Sequence, residues 1–260
     1  MKTKFQSRKK SFATSALMLL FIFTASLLQL RAQTAEDIVD KYVAAIGGKD
    51  AWTKVKGIRI KAKVDAQGMT LPLDIINMSD GRNYTSFELQ GKVVVQSAFD
   101  GETAWGVNFM TMKAEKHDNE TTENIKREAK DFPNSFSGYK EKGYKIKLMG
   151  KEMAEGVNCY KIKLTKKTQL VDGKEEENIV YYYFDVENFV PIMEETTINS
   201  GEAKGQISQT VYSDYQEVGG LYFPYSIMSR LKDGAGQSVV IQSIELNPTV
   251  EDKLFKFSEN

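Results

Sequence analysis

The chain has 260 residues with 35 basic and 35 acidic side chains. The basic start Lys2, Lys4, Arg8, Lys9, Lys10, the apolar run over 16–30 and the small residue Ala32 predict an export signal over 1–32, cleaved near Ala32. Removing its six basic residues (Arg31 is the sixth) leaves 29 basic against 35 acidic in the remaining 228 residues, a net charge near minus six. A nucleic-acid binder needs a basic surface to displace phosphate counterions, so that class is set aside. Cys159 is the sole cysteine and His117 the sole histidine, so an internal disulfide is excluded and a soft-ligand metal site would have to lean on carboxylates. The apolar run is shorter than the roughly 20 residues of a spanning helix, and no cysteine sits near the cleavage point to carry a lipid anchor. The expectation is a released periplasmic protein of one domain, 33–260.

In chain order, Thr34 followed by Glu36 and Asp37 has the hydroxyl cap and first-turn acids of a helix start. Ile38, Val39, Tyr42, Val43 and Ile46 then recur at three- and four-residue spacing, and Gly47-Gly48 ends the helix. A short turn around Ala51, Trp52 and Val55 follows, after which the period changes to two. Ile58, Ile60, Ala62 and Val64 alternate with Arg59, Lys61 and Lys63, the pattern of a strand with one buried face. Further strands are expected over 69–77, 83–89, 92–99 and 103–107, separated by Asp80-Gly81, Gln90-Gly91 and Asp100-Gly101 turns. Pro72 inside the first of these predicts an edge or a bulge.

The middle changes rhythm. Residues 121–132 suit a helix carrying Ile125, Ala129 and Phe132 on one side and ended by Pro133, and 135–142 reads as a loop. Strands resume over 144–149, 158–166, 179–185, 191–199, 206–217, 221–231 and 238–246. About a dozen strands joined by two to eight residues cannot form a parallel sheet, whose crossovers are long. The fold class is therefore mainly β (α+β), an antiparallel, strongly curved sheet with two or three helices.

Catalytic signatures do not emerge. No glycine-rich phosphate loop joins a strand to a helix, and no serine sits in a Gly-x-Ser-x-Gly elbow. The run Glu175-Glu176-Glu177 beside Asp172-Gly173 reads as a solvated hairpin tip, and His117 as part of a solvated turn. The expectation is no catalysis and no cofactor.

Several phrases carry a resemblance. Ala35-Glu36-Asp37-Ile38-Val39 through Tyr42 and Gly47-Gly48, then Phe99-Asp100-Gly101-Glu102-Thr103-Ala104-Trp105, resemble the first helix and the Asp-Gly-x-x-x-Trp hairpin of bacterial outer-membrane lipoprotein-sorting proteins, the LolA-like family. Gly156-Val157-Asn158-Cys159-Tyr160-Lys161-Ile162, Tyr183-Phe184-Asp185 with Val190-Pro191-Ile192, and Ser213-Asp214-Tyr215 with Gly219-Gly220-Leu221-Tyr222-Phe223-Pro224 are similar to its later strands in the same order. The resemblance implies an incomplete antiparallel barrel whose apolar concave side is capped by helices. It also implies a monomeric periplasmic carrier of lipid or of lipoprotein acyl chains, serving outer-membrane biogenesis alongside an envelope membrane protein complex. The alternative role that the fold implies is a sensor or regulatory module binding a partner protein. Of the arginine that ties lid to barrel in the carriers, Arg59 and Arg82 are the candidates by position. Density of apolar groups nominates Leu71, Leu73, Ile75, Phe87, Leu89, Val93, Val95, Trp105, Phe109, Met110 and Met112 as lipid-lining residues, and the helix over 121–132 as the lid, through Ile125, Ala129 and Phe132. In Val93-Val94-Val95 the sequence leaves open which residues face inward.

Overall fold

A computed structural model describes residues 33–66 and 68–258; the expected export signal lies outside the described residues. Thirteen strands form one antiparallel sheet: β1 (Gly57–Ala66), β2 (Met69–Met78), β3 (Asn83–Leu89), β4 (Lys92–Phe99), β5 (Ala104–Asn108), β6 (Lys113–Lys116), β7 (Lys145–Ala154), β8 (Val157–Thr165), β11 (Ile179–Asp185), β12 (Pro191–Thr197), β13 (Ile207–Val218), β14 (Leu221–Leu231) and β15 (Gly236–Leu246). A separate two-stranded hairpin, β9 (Gln169–Val171) and β10 (Lys174–Glu176), sits between β8 and β11 in sequence. The order β6-β5-β4-β3-β2-β1-β15-β14-β13-β12-β11-β8-β7 leaves β6 and β7 as two free edges. The chain therefore makes an open, curved sheet, as the short connections predicted.

Each expected strand is present within a few residues of its predicted span. Strand β6 and the β9–β10 hairpin went unseen because runs of three or four mixed polar residues carry no readable period. Strand β2 is interior, paired on both sides, which departs from the edge expected from Pro72. Its rungs with β3 begin only at Leu73↔Phe87, so Pro72 lies beyond the last rung on that flank and its missing N–H interrupts no ladder there.

Directly opposed residues share a face of the sheet, so register sorts the chain into inside and outside. Ile58 and Ile60 oppose Leu246 and Ile244 of β15, and Tyr182 and Phe184 oppose Ile162 and Tyr160 of β8. These form the inner face. Helix α1 (Ala35–Ala45) lays Ile38, Val39 and Tyr42 across it. Together with Ile46, Trp52, Phe136, Tyr139, Ile162, Leu164, Phe184, Leu221 and Phe223 they make the main core. Tyr42 meets Phe184 and Phe136 edge-on at ring distances of 5.4 and 5.7 Å. The helix end is fixed by Gly47, whose φ of +114° only glycine adopts readily; a Cβ there would strike the Gly220 carbonyl and Leu221. Trp52, closing the short helix α2 (Lys49–Trp52), donates its indole N–H to the Ile46 carbonyl at 3.1 Å.

The outer face has its own two clusters. Ile76, Tyr84, Ala98 and Trp105 pack beneath the C-terminal segment carrying Phe255, and the Trp105 indole donates to the Phe255 carbonyl at 2.8 Å. Ala154, Cys159, Tyr183 and Met193 form the other. Next to it lies a polar chain on buried Glu195, which accepts from Tyr183 at 2.6 Å and from Gln209 at 2.8 Å.

Because Phe184 is fully buried in the main core, Phe184→Ala should cost about 3–5 kcal/mol in urea unfolding. Val93→Ser, at a side chain 66% exposed, should change stability by less than about 0.5 kcal/mol.

Candidate binding hollow

Between the inner sheet face and the segment following helix α3 (Asn119–Glu128) lies a hollow of about 480 Å³. Its apolar lining comes from Tyr42, Ile46 and Trp52 below, Ile58 and Ile60 on the sheet, Ala129, Phe132, Pro133 and Phe136 on the cover, and Tyr182, Tyr212, Tyr215 and Phe223 opposite. A second, shallower depression of about 620 Å³ adjoins it and shares Tyr212, Tyr215 and Tyr222. It opens where β12 and β13 part company: their rungs stop at Met193↔Val211, and beyond that the Tyr215 hydroxyl donates to the Pro191 carbonyl at 2.7 Å.

The cover has an unusual attachment. Helix α3 buries no residue, so apolar packing does not hold it. It starts two residues before the expected 121 because Asp118 caps it, accepting from the Thr121 amide at 2.7 Å, and a 3₁₀ turn (Ala129–Asp131) follows. Polar contacts to the β9–β10 hairpin fix it. Asn124 both donates to the Leu170 carbonyl and accepts from the Leu170 amide, each at 2.8 Å. Glu120 accepts from the Asp172 and Gly173 amides, and Arg127 grips Glu175 with two bonds of 2.7 and 2.8 Å. The Arg127 guanidinium holds Glu175 far below the ordinary carboxylate value, at about 2. Just beyond the helix, Asp131 accepts from Tyr144 at 2.7 Å and Ser135 at 3.1 Å and pairs with Lys166 at 2.5 Å.

Of the three acids that line the hollow, Glu128, Asp131 and Glu194, the last stands on the sheet. Glu194 lines the hollow directly opposite Tyr182 of β11, with Tyr212 in the same lining. Burial raises its proton affinity above that of an ordinary glutamate. The Tyr182 and Tyr212 phenols are themselves held well above their ordinary range by burial, so they stay neutral donors. Nearby on the cover, the Asn134 amide nitrogen is buried without a hydrogen-bond partner.

The sequence candidates divide into four groups. Ala129 and Phe132 line the hollow, whereas Ile125 is half-buried on α3 and outside its lining. Leu71, Leu73 and Ile75 oppose Val64, Ala62 and Ile60, and Phe87 opposes Leu73, so these continue the inner face beyond the hollow, half-buried; Leu89 follows by alternation along β3. Trp105 and Val95 belong to the outer cluster under Phe255, which corrects their assignment to the lining. Val93, Phe109, Met110 and Met112 are exposed by 66, 59, 96 and 56% and are not part of the hollow's lining, although Phe109 stacks on Phe87 at a ring distance of 6.0 Å. Among the three valines, Val94 turns inward opposite Phe87. For Trp105, Val95 and Val93 the cause is that alternation tells two faces apart but not which is concave, whereas Phe109, Met110 and Met112 lie in the β5–β6 turn, where alternation ends. Neither arginine candidate ties the cover. Arg59 pairs with Asp74 on the outer face at 2.7 Å, and Arg82 pairs with Asp80 and Asp252 at the rim. The residues that do so, Arg127 and Asp131, have no distinguishing local signal. The tyrosines and Glu194 were missed because they come from helix α1 and strands β11, β12 and β13.

Lowering pH should loosen the cover first. A carboxylate with a depressed folded-state value contributes stability above its unfolded value and loses it as pH falls through the folded one. Hydrogen exchange should therefore show the α3 amides losing protection between pH 4.5 and about 2 ahead of those in β8 and β11, and Arg127→Met should remove that protection already at neutral pH.

Among solved structures, the chain is similar to a LolA superfamily protein from Nitrosomonas europaea, with a TM-score of 0.53, 14% identity, and 87% of this chain and 99% of that one covered. It is also similar to a DUF1329 family protein from Desulfovibrio piger (0.52, 12% identity, 85% and 97% covered). An outer membrane lipoprotein-sorting protein domain from Vibrio parahaemolyticus matches comparably (0.51, 11% identity, 84% and 94% covered). No curated protein sequence matches. The likeness establishes the LolA-like fold. A family model described as "-like: Uncharacterized protein" matches residues 130–259, half of the chain, and the protein belongs to the family which that model defines.

Proposed function

We propose that the protein is a periplasmic carrier that binds the acyl part of a lipid or lipoprotein in the hollow, without catalysis. The observation that carries this reading is the hollow itself. An inner sheet face left open between two free edges is covered by the segment 129–136, which follows a helix that buries none of its residues. Hiding an acyl chain from water stabilises it by about 0.8 kcal/mol per CH₂, so a carrier of two or three chains must offset tens of kcal/mol. The hollow's volume falls in the roughly 300–1,000 Å³ range of small-molecule sites. The half-buried wall of Leu71, Leu73, Ile75, Phe87 and Leu89 gives a chain emerging past Ile60 somewhere apolar to lie. A polar attachment lets helix α3 move without exposing a core of its own, while Phe136 keeps the segment that follows it anchored in the main core. Similarity to proteins titled for the LolA superfamily and for lipoprotein sorting supports the same reading.

Export through the segment 1–32 and a single carrier domain over 33–260 belong to this proposal. No described helix is long and apolar enough to cross a membrane.

The second reading is a sensor or regulatory module that binds a partner protein. It draws on the exposed Met69, Val93, Phe109, Met110 and Met112, which register and connectivity set at the same end of β2, β4 and the β5–β6 hairpin.

Lipid extraction and mass spectrometry on protein purified from its own host test the carrier reading. We expect acyl lipid in stoichiometric amount, and its loss in Ala129→Trp, which fills the hollow from the cover while the far-ultraviolet circular dichroism stays unchanged. A lipid-free wild-type protein bound to a stoichiometric partner would replace this reading with the second.

A further inference from the structure

Resting on the carrier reading, the geometry points to a ligand of a particular class: we infer that the hollow receives an amphiphile whose polar end carries an ammonium group, seated against Glu194 within the ring of Tyr42, Tyr182, Tyr212 and Tyr215.

Glu194 sits on β12 with its carboxyl opening into the hollow. A simple grease cavity has no use for a carboxyl, because removing one from water without a partner is costly. Among the described residues no lysine or arginine forms an ion pair with it, whereas Glu195, next along the strand and facing the opposite side, lies 3.6 Å from Lys232. Lys166 acts on Glu194 from a distance, and its ammonium is already bound to Asp131 at 2.5 Å. The acid thus stands among the phenols of Tyr182 and Tyr212 and has no ion-pair partner among the described residues.

The surroundings select for a cation. Tyr42 reaches the site from helix α1, Tyr182 from β11, and Tyr212 and Tyr215 from β13, so four phenol rings from three elements border one cavity. Aromatic faces attract ammonium groups, most strongly where water is excluded, and a carboxyl beside them adds a charged hydrogen bond. The charged groups of the lining are Glu128, Asp131 and Glu194 against the single Arg82, whose guanidinium is held by Asp80 and Asp252. A phosphate or carboxylate head would meet that acidic lining unfavourably. The aliphatic part of the ligand runs from the tyrosine ring past Ile58 and Ile60, which places the head deep and the tail toward the open wall.

Calorimetric titration of the full chain at neutral pH with dodecylamine, dodecanol and dodecanoate tests this. The amine should bind on the order of tenfold more tightly than the alcohol, and the carboxylate more weakly than either. In Glu194→Gln, and to a lesser degree in Tyr212→Phe, the amine-to-alcohol ratio should fall toward one, with circular dichroism confirming that both variants fold. Equal binding of amine and alcohol, tighter binding of the carboxylate, or a ratio that Glu194→Gln leaves intact would overturn the ammonium assignment while leaving the acyl-carrier reading in place. Failure of all three probes to bind would overturn both.

Discussion

One packing interaction organises the molecule: helix α1 pressed by Ile38, Val39 and Tyr42 onto the inner face of a sheet that does not close. A curved antiparallel sheet of thirteen strands has more apolar inner surface than one eleven-residue helix can cover. Helix α1 satisfies the half built from β1, β8, β11 and β14, where the side chains at Ile162, Leu164 and Phe184 lose all exposure. The half built from β2 to β4 has Leu71, Leu73, Ile75 and Phe87 outside every core cluster. The hollow is the boundary between those halves. Its position follows from where the helix ends, and that is set by Gly47 against the β13–β14 turn.

The same imbalance explains the cover. A second helix packed tightly on the remaining surface would complete a core and abolish the cavity. Helix α3 instead has a polar surface and holds on through Arg127, Asn124 and Glu120 to a small hairpin that is not part of the main sheet. Ion pairs and exposed hydrogen bonds contribute little net stability, so such an attachment can break and re-form without unfolding anything else. Placing the apolar contacts on α1 and the polar ones on α3 separates what holds the protein together from what controls access to its interior.

How much of this was legible in the sequence depends on the range of the signal. Alternation in Ile58 to Val64 and the Asp-Gly and Gly-Gly turns are local, and the strands they predicted are where they were expected. The absence of long crossovers sufficed for an antiparallel, curved sheet, and the resemblance to the LolA-like family supplied the expectation that it stays open. Ile125, Ala129 and Phe132 were nominated as cover residues because they share one side of the helix expected over 121–132; the structure places Ala129 and Phe132 in the hollow's lining and Ile125 outside it. Trp105 shows the limit. An aromatic in a hairpin strand reads as lining, yet its indole is capped by the Phe255 carbonyl 150 residues later, a contact nothing near Trp105 announces. The β4 bulge between Val95 and Ser97 exchanges the faces of the residues that follow the three valines, and periodicity is blind to it. Glu194 and its tyrosines lie on elements up to 170 residues apart, so their assembly is a property of topology alone.

The two tryptophans make the central claim directly measurable, since Trp52 lines the hollow and Trp105 packs on the opposite face of the sheet. A fatty amine brominated along its chain quenches only indoles it touches. Titrated into Trp105→Phe and Trp52→Phe, it should extinguish the fluorescence of Trp52 saturably and leave that of Trp105 unchanged. Quenching of Trp105 alone, or of both to the same degree, would mean that the chain rests on the outer surface and that the open sheet holds no lipid within.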